Sequence, residues 1–372
     1  MTKSEGKLEK VLPLIEKKGF DGMVVYSNGI ANMLHPSYFY YLSGLKPLGP
    51  NNALIISKSG NVILIIEPDW DHLRASRVSG IKTVRGSVDF VQDLIHYMRD
   101  LNITGSVGLA GHSAMPEAVH KAIKEQAKVE SADDIIEEIA KVKTAKEIEH
   151  IRKTAKMADE GFKAFLEYAR VGIWEYELSA EMEYAMRSAG ADDNFNLMSS
   201  SQHSYSMHAP TDKRLAPGDI VLGEITPVSE GQFMQLCRTV VLGEPSKLIK
   251  DKYDLLMKAF DESLKPIKAG IPASLISINM NKVFIDAGYT EYCYPPYMRA
   301  RGHGLGVGSV APGGTIDDKN NSILLKNQVI IVHPNQYLPE IGYLACGETV
   351  LVTDSGFERL AETETKLYVK EV

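Results

Sequence analysis

The scarcities of this 372-residue chain exclude more than its abundances do. It has three cysteines, Cys237, Cys293 and Cys346, too few and too scattered for a disulfide framework or a structural zinc cluster, so a reducing, cytoplasmic setting is expected. No apolar run reaches the roughly 20 residues that a membrane-crossing helix needs, and no membrane partner is expected. Basic charge is not in excess either: 41 Lys and Arg against 48 Asp and Glu give a net charge of -7. That balance supplies no field for nucleic acid, and none is expected as a partner. The N-terminus carries Leu8, Val11, Leu12 and Ile15 at helical spacing with charges between them, which reads as a first helix and not as a secretory segment. Internal repeats and low-complexity stretches are also missing.

What is present describes a globular protein, with 44% hydrophobic and 24% charged residues. Its length fits two domains. Over the first part, "GMVVYS", "NALIIS", "VILIIEP" and "SVGLAG" are short β-branched runs between Gly and Asn punctuation, as strands alternating with helices. From Ser131 the pattern becomes helical, through Ile135, Ile136, Ile139, Ile148, Ile151 and Ala155 to Arg170, with Ser131 as the expected cap. A boundary in this stretch gives domains 1–135 and 136–372. The second domain reads as α+β: a helix over Glu175–Ser188, strands between Ile220 and Leu242, helices near 250–268 and 274–287, and further strands at "QVIIVHP" and "ETVLVT".

The chemistry concentrates on these later strands. Glu224 and Gln235 flank a turn at "VSEGQ", so a hairpin would bring both to one face, and Cys237 shares the parity of Gln235. His303 stands between two glycines, His333 ends an apolar strand, Glu348 opens another, and His208 lies in the "MHAPTD" loop. Imidazoles beside a carboxylate can act as general bases or as metal ligands. Arg238 reads as half of a structural ion pair, Cys237 as a small buried hydrophobe, and His203 as a loop residue.

The pieces "NGIANMLHPSYFYYLSG", "KTAKEIEHIRKTAKMADEGF", "LAPGDIVL", "CRTVVLGEP", "GHGLG" and "ETVLVT", in this order, resemble the pita-bread family of creatinase, prolidase, aminopeptidase P and methionine aminopeptidase. The resemblance runs nearly end to end. It implies a C-terminal pita-bread catalytic domain behind a smaller, creatinase-type mixed α/β domain. It also implies five metal-ligand positions, Asp, Asp, His, Glu and Glu, which here hold Glu224, Gln235, His303, His333 and Gly347, with Glu348 one place later. Two divalent ions need bridging carboxylates to offset their repulsion, and Gln235 and Gly347 supply none. A metal-free enzyme of the creatinase and ectoine hydrolase type is therefore expected, with no cofactor. In it, His208, Glu224, His303, His333 and Glu348 are the catalytic group, cleaving a C–N bond of a small zwitterion. Glu224 and Glu348 would hold the substrate's cationic group, Gln235 and Cys237 would line the site, and Arg299 or Arg301 would pair its carboxylate.

Two alternatives remain. One is an Xaa-Pro peptidase with a single Mn, Fe or Zn ion on Glu224, His303 and His333. The other is a non-catalytic binding module. The resemblance also implies a homodimer in which Trp70, His72 and Arg74 of one N-terminal domain complete the partner's active site.

Overall fold

A computed structural model describes residues 5–29, 37–298, 300–308 and 312–372. The chain divides into two compact units, Met1–Ala140 and Lys141–Val372. In the first, helix α1 (Glu5–Lys17) precedes strand β1 (Gly22–Ser27); α2 (Tyr38–Ser43), β2 (Asn52–Ser57), β3 (Val62–Ile66), α3 (His72–Ser79), β4 (Val84–Gly86), α4 (Phe90–Asp100), β5 (Ser106–Ala110), α5 (Glu117–Gln126), β6 (Lys128–Ser131) and α6 (Asp133–Lys141) follow. The β-branched runs pair as one mixed sheet in the order β4-β3-β2-β1-β5-β6, antiparallel at β1–β2 and β2–β3 and parallel elsewhere. Val24, Ile55, Ile65, Val107 and Leu109 form its core with Phe90, Leu94 and Met98, which repeat every four residues on one face of α4. Part of the "NGIANMLHPSYFYYLSG" segment lies outside the described residues.

The long helical stretch is two helices. Ser131, expected as a cap, ends β6, and α6 begins at Asp133. The second helix, α7 (Ala145–Tyr168), opens on a capping box: Thr144 Oγ1 accepts from Glu147 N at 3.2 Å, and Glu147 Oε2 accepts from Thr144 N at 2.9 Å. That reciprocal pair satisfies two donors at a helix start and so favours a break there.

In the second unit, α7 and α8 (Glu175–Ser188) lie against a sheet ordered β17-β10-β8-β7, from β7 (Asp193–Ser201), β8 (Ile220–Ser229), β10 (Leu236–Leu242) and β17 (Leu367–Lys370), with the short β9 (Gln232–Phe233) paired to β8. A four-stranded sheet, β11-β12-β15-β16, comes from β11 (Gly302–Gly304), β12 (Val329–Val332), β15 (Glu348–Val352) and β16 (Phe357–Arg359), and a hairpin from β13 (Gln336–Leu338) and β14 (Gly342–Leu344). Helices α9 (Lys247–Leu264) and α10 (Ser274–Asp286) bury Leu256, Phe260, Ile276, Met280 and Phe284 against Leu222, Val241, Ile330 and Val350 of both sheets. On the other side α7 comes close to β8. A Cβ on Gly223 would stand 3.0 Å from the Phe165 ring, so side-chain-free positions allow the approach. No helix of the described residues is long and apolar enough to cross a membrane.

Candidate active site

Strand alternation decides which polar residues meet. In the β8–β10 ladder Glu224 stands opposite Cys237, and Gly223 opposite Arg238. Paired residues share a face and neighbours take opposite faces, so Glu224 and Cys237 point one way and Arg238 the other. In the second sheet His303 is opposite Ile331 and Val332 is opposite Glu348. His303 therefore shares a face with His333, two residues beyond Ile331, while Glu348 belongs to the reverse face. The sheets join where Cys237 and Gly347 exchange backbone hydrogen bonds of 3.0 and 3.3 Å. Continuing the register by one residue sets His333 opposite Gly347, and a Cβ built there would lie 2.9 Å from His333 Cβ and 3.3 Å from Cys237 Cβ.

One face thus gathers Glu224, Gln235, Cys237, His303, His333 and Asn335. The Cys237 thiol lies 3.8 Å from Glu224 Oε2, and Asn335 Nδ2 donates to Cys237 Sγ at 3.9 Å. Gln235 lies in the break between β9 and β10. Its backbone is held in both directions by the Thr349 hydroxyl, and its side chain hydrogen-bonds Glu224. The His303 and His333 rings meet edge to face at 5.5 Å.

Burial dominates the electrostatics. It raises the Glu224 carboxyl from 4.5 to about 7 against the pull of hydrogen bonds from Cys237 and Gln235, and it pushes the Cys237 thiol well above its usual range, helped by Glu224. It lowers His303 from 6.5 to about 4 and His333 to about 3, the latter also through His303. Both imidazoles are neutral at pH 7. Buried His333 Nδ1 and Asn335 Oδ1 have no hydrogen-bond partner among the described residues, and orphaned buried polar atoms of this kind mark a place where a ligand can bind. Sequence reasoning missed Asn335, although it follows His333 in "HPN". It also missed Tyr343, whose hydroxyl is pushed up by burial, then by Cys237 and Glu224.

Other expected site residues stand apart. Glu348, expected to hold a cationic substrate group, is ion-paired on the reverse face with the fully buried Arg238 and accepts from Thr365. The Arg238 reading as structural is matched by this pair and by donation to the carbonyls of Cys237, Gly347 and Thr363. Arg301, expected to pair a substrate carboxylate, points its guanidinium inward. Nε donates to Asn281 Oδ1 at 2.7 Å, Nη1 to Pro334 and Asn335 O at 3.2 Å, and Nη2 to Gln336 Oε1 at 2.8 Å. Burial lowers its pKa to about 10. It braces the segment after His333. Arg299 lies outside the described residues. His208 is exposed, with Nδ1 2.8 Å from Ala209 O, and is not gathered with the buried group. In the first unit Trp70 is 66% exposed, His72 Nδ1 is 2.6 Å from Asp69 O, and Arg74 pairs with Asp71 at 2.6 Å.

Comparison with known proteins fits this geometry. The sequence profile of metallopeptidase family M24 matches residues 149–354, more than half of the chain. The Xaa-Pro dipeptidase of Pyrococcus horikoshii is 26% identical over 367 residues, covering 97% of this chain and 98% of the relative. The Pyrococcus furiosus Xaa-Pro dipeptidase is 25% identical, covering 97% and 99%. Among solved structures, an X-Pro aminopeptidase from Thermotoga maritima superposes with a TM-score of 0.85 at 26% identity, covering 98% and 99% of the two chains.

The expectation of an enzyme without any cofactor is corrected by this match, because the family is one of metallopeptidases and its cofactor is a metal. The side chains present do not fit the pair of ions that the five-ligand pattern holds. Gln235 is neutral, Gly347 has no side chain and no room for one, and Glu348 is turned to Arg238. Among the described residues no three His, Cys, Asp or Glu side chains come together as a metal-holding group. The neutral His303 and His333, with the orphaned His333 Nδ1, are donors of the right kind for one ion, but not a closed site. On its sequence match and its pita-bread architecture, the chain belongs to metallopeptidase family M24, hydrolases that act on C–N peptide bonds.

Proposed function

We propose that the chain hydrolyses the C–N bond of small Xaa-Pro peptides at the group formed by Glu224, Gln235, Cys237, His303, His333 and Asn335, at a metal site altered from the family's five-ligand pattern. The observation that carries this reading is the end-to-end likeness to Xaa-Pro dipeptidases, with the polar face of this chain at the family's ligand positions. Such a dipeptide is itself a small zwitterion, which agrees with the substrate class expected from the sequence.

The chain's own residues have separable tasks. With no ion bound, burial holds the Glu224 carboxyl near pH 7; as the oxygen ligand of an ion it would be deprotonated. The Gln235 and Asn335 amides offer donors to a developing oxyanion. His303 and His333 stay unprotonated and are the nitrogen ligands available to a single ion, with Glu224 as the oxygen ligand. When bound, that ion would supply charge stabilisation and an activated water. His208, exposed ahead of β8, is assigned to the substrate side on the family resemblance alone. Trp70, His72 and Arg74 are assigned to a homodimer contact that completes the partner's site, supported by the exposure of Trp70. The three free, buried cysteines support a cytoplasmic setting.

The test is hydrolysis of Ala-Pro, Leu-Pro and Phe-Pro by purified protein with added Mn2+, and again after chelation. Cleavage that the chelator abolishes and Mn2+ restores is expected. No cleavage of any of the three with Mn2+, Zn2+ or Fe2+ present overturns the reading.

A further inference from the structure

Outside the buried group, five rings form a single array. Tyr205 and Tyr297 each lie nearly parallel to Tyr337, with centroids 5.5 and 5.3 Å away and planes 12° and 17° apart. Tyr292 tilts against Tyr297 and Tyr337 at 4.8 and 5.8 Å, and the ring of His203 stands edge-on to Tyr205 and Tyr337 at 5.5 and 5.7 Å. These separations fall in the range where offset and edge-to-face aromatic pairs attract.

Its position is set by the same segments that deliver the site histidines. Tyr205 precedes His208 by three residues, Tyr297 precedes His303 by six, and Tyr337 follows His333 by four. The segments are braced to one another. Gln336 accepts from Arg301 and donates to Tyr292 O at 2.8 Å, Tyr343 N donates to Ser204 O at 2.7 Å, and His203 Nε2 lies 3.0 Å from Pro339 O. Lys252 ties the β13–β14 turn down through Glu340 and Tyr289. The stack is therefore rigid, and it is graded: Tyr337 is buried, whereas Tyr205 is 74% exposed. It ends on an open ring, preordered to accept another planar group at low entropic cost.

We infer that the Tyr205–Tyr337–Tyr297 stack is the subsite for the side chain of the substrate's first residue and that it selects a planar aromatic one. The inference rests on the Xaa-Pro reading, whose relatives' names leave that first residue open. Near-parallel rings extend most directly with a further ring. Of the two carboxylates that act on Tyr292, Glu340 is engaged by Lys252 and Tyr289, and Glu291 is the one a lysine side chain could seek, which the Lys-Pro arm of the test reads.

The test compares Phe-Pro, Ala-Pro and Lys-Pro on wild type, Tyr205→Ala and Tyr205→Phe. Binding is measured by calorimetry on metal-depleted protein, and KM and kcat by hydrolysis with Mn2+. Phe-Pro is expected to bind about fivefold more tightly than Ala-Pro, the size of one good ring contact. Tyr205→Ala should weaken Phe-Pro about fivefold more than Ala-Pro, in KM and not in kcat, and Tyr205→Phe should keep the preference. Equal binding of Phe-Pro and Ala-Pro, a preference for Lys-Pro, equal losses with Tyr205→Ala, or no measurable Phe-Pro binding in either format overturns the inference. A Phe-Pro preference in binding without hydrolysis of any dipeptide leaves the subsite standing and defeats the peptidase reading alone.

Discussion

The two faces of the joined sheets, one residue apart along the same strands, treat buried polarity in opposite ways. On the reverse face, Arg238 and Glu348 are ion-paired, and Arg238 also donates to three backbone carbonyls. On the other face, their neighbours Cys237 and Gly347 border Glu224, His303, His333 and Asn335, where a carboxyl sits near neutrality, two imidazoles stay uncharged and buried atoms lack partners. Orphaned atoms occur on both faces, Arg238 Nε and Glu348 Oε2 among them; the reverse face differs in that its two charges pair with each other, which serves the fold, whereas among the described residues the ionisable groups of the other face have no opposite charge beside them. The difference teaches that charge content alone does not identify the active face. Parity does.

The comparison breaks hardest at the ion pair. Arg238→Met strands Glu348 without its cation and is expected to cost about 3–5 kcal/mol, while Arg238→Met combined with Glu348→Leu recovers most of that loss. Urea unfolding of the two variants checks this. If the single variant unfolds at the wild-type midpoint, the pair is not structural.

On the opposite face the expected signature is a pH slope. The folded pKa of Glu224 is raised from 4.5 to about 7. The stability tied to it is therefore full below pH 4.5 and is lost as pH rises through 7, by up to about 3 kcal/mol. The lowered pKa values of His303 and His333 act in the opposite direction up to about pH 6.5, so the signature is a difference: between pH 5 and 8 metal-depleted wild type should lose stability relative to Glu224→Gln. Parallel slopes for wild type and variant in denaturant titrations would place the titrating group elsewhere.

A smaller effect sharpens the boundary between the faces. Gly347→Ala drives a methyl into the Cβ atoms of His333 and Cys237 and is expected to cost about 1–3 kcal/mol by overpacking. Because the shift falls on His333, kcat/KM for Xaa-Pro dipeptides should drop more than stability does. An alanine variant with wild-type kinetics and melting would show that the site has slack there.

Much of this was legible in the sequence, and the exceptions share a cause. The apolar runs match β1, β2, β3 and β5 in the first unit and β8, β10, β12 and β15 in the second, α8 falls on Glu175–Ser188 as read, and the glycine-flanked His303 with the strand-end His333 is a true neighbour pair. Side-chain parity is a local property, so alternation carries it. Partner choice is not local. Arg301 finds Pro334, Asn335 and Gln336 more than thirty residues away, and Glu348 finds Arg238 across a sheet junction that no spacing announces. Gly347 looked like a ligand merely lost. In the structure its missing side chain is the room that His333 and Cys237 occupy. The break at Thr144 was written in the Thr-x-x-Glu spacing and was overlooked under the longer apolar period.

Metal stoichiometry tests the centre of this account most directly. Purified protein reconstituted with Mn2+, freed of excess ion and analysed for metal alongside Xaa-Pro hydrolysis is expected to retain no more than one ion per chain at full activity. Two tightly held ions per chain, both required for turnover, would contradict the altered site described for Glu224, Gln235, His303, His333 and Gly347.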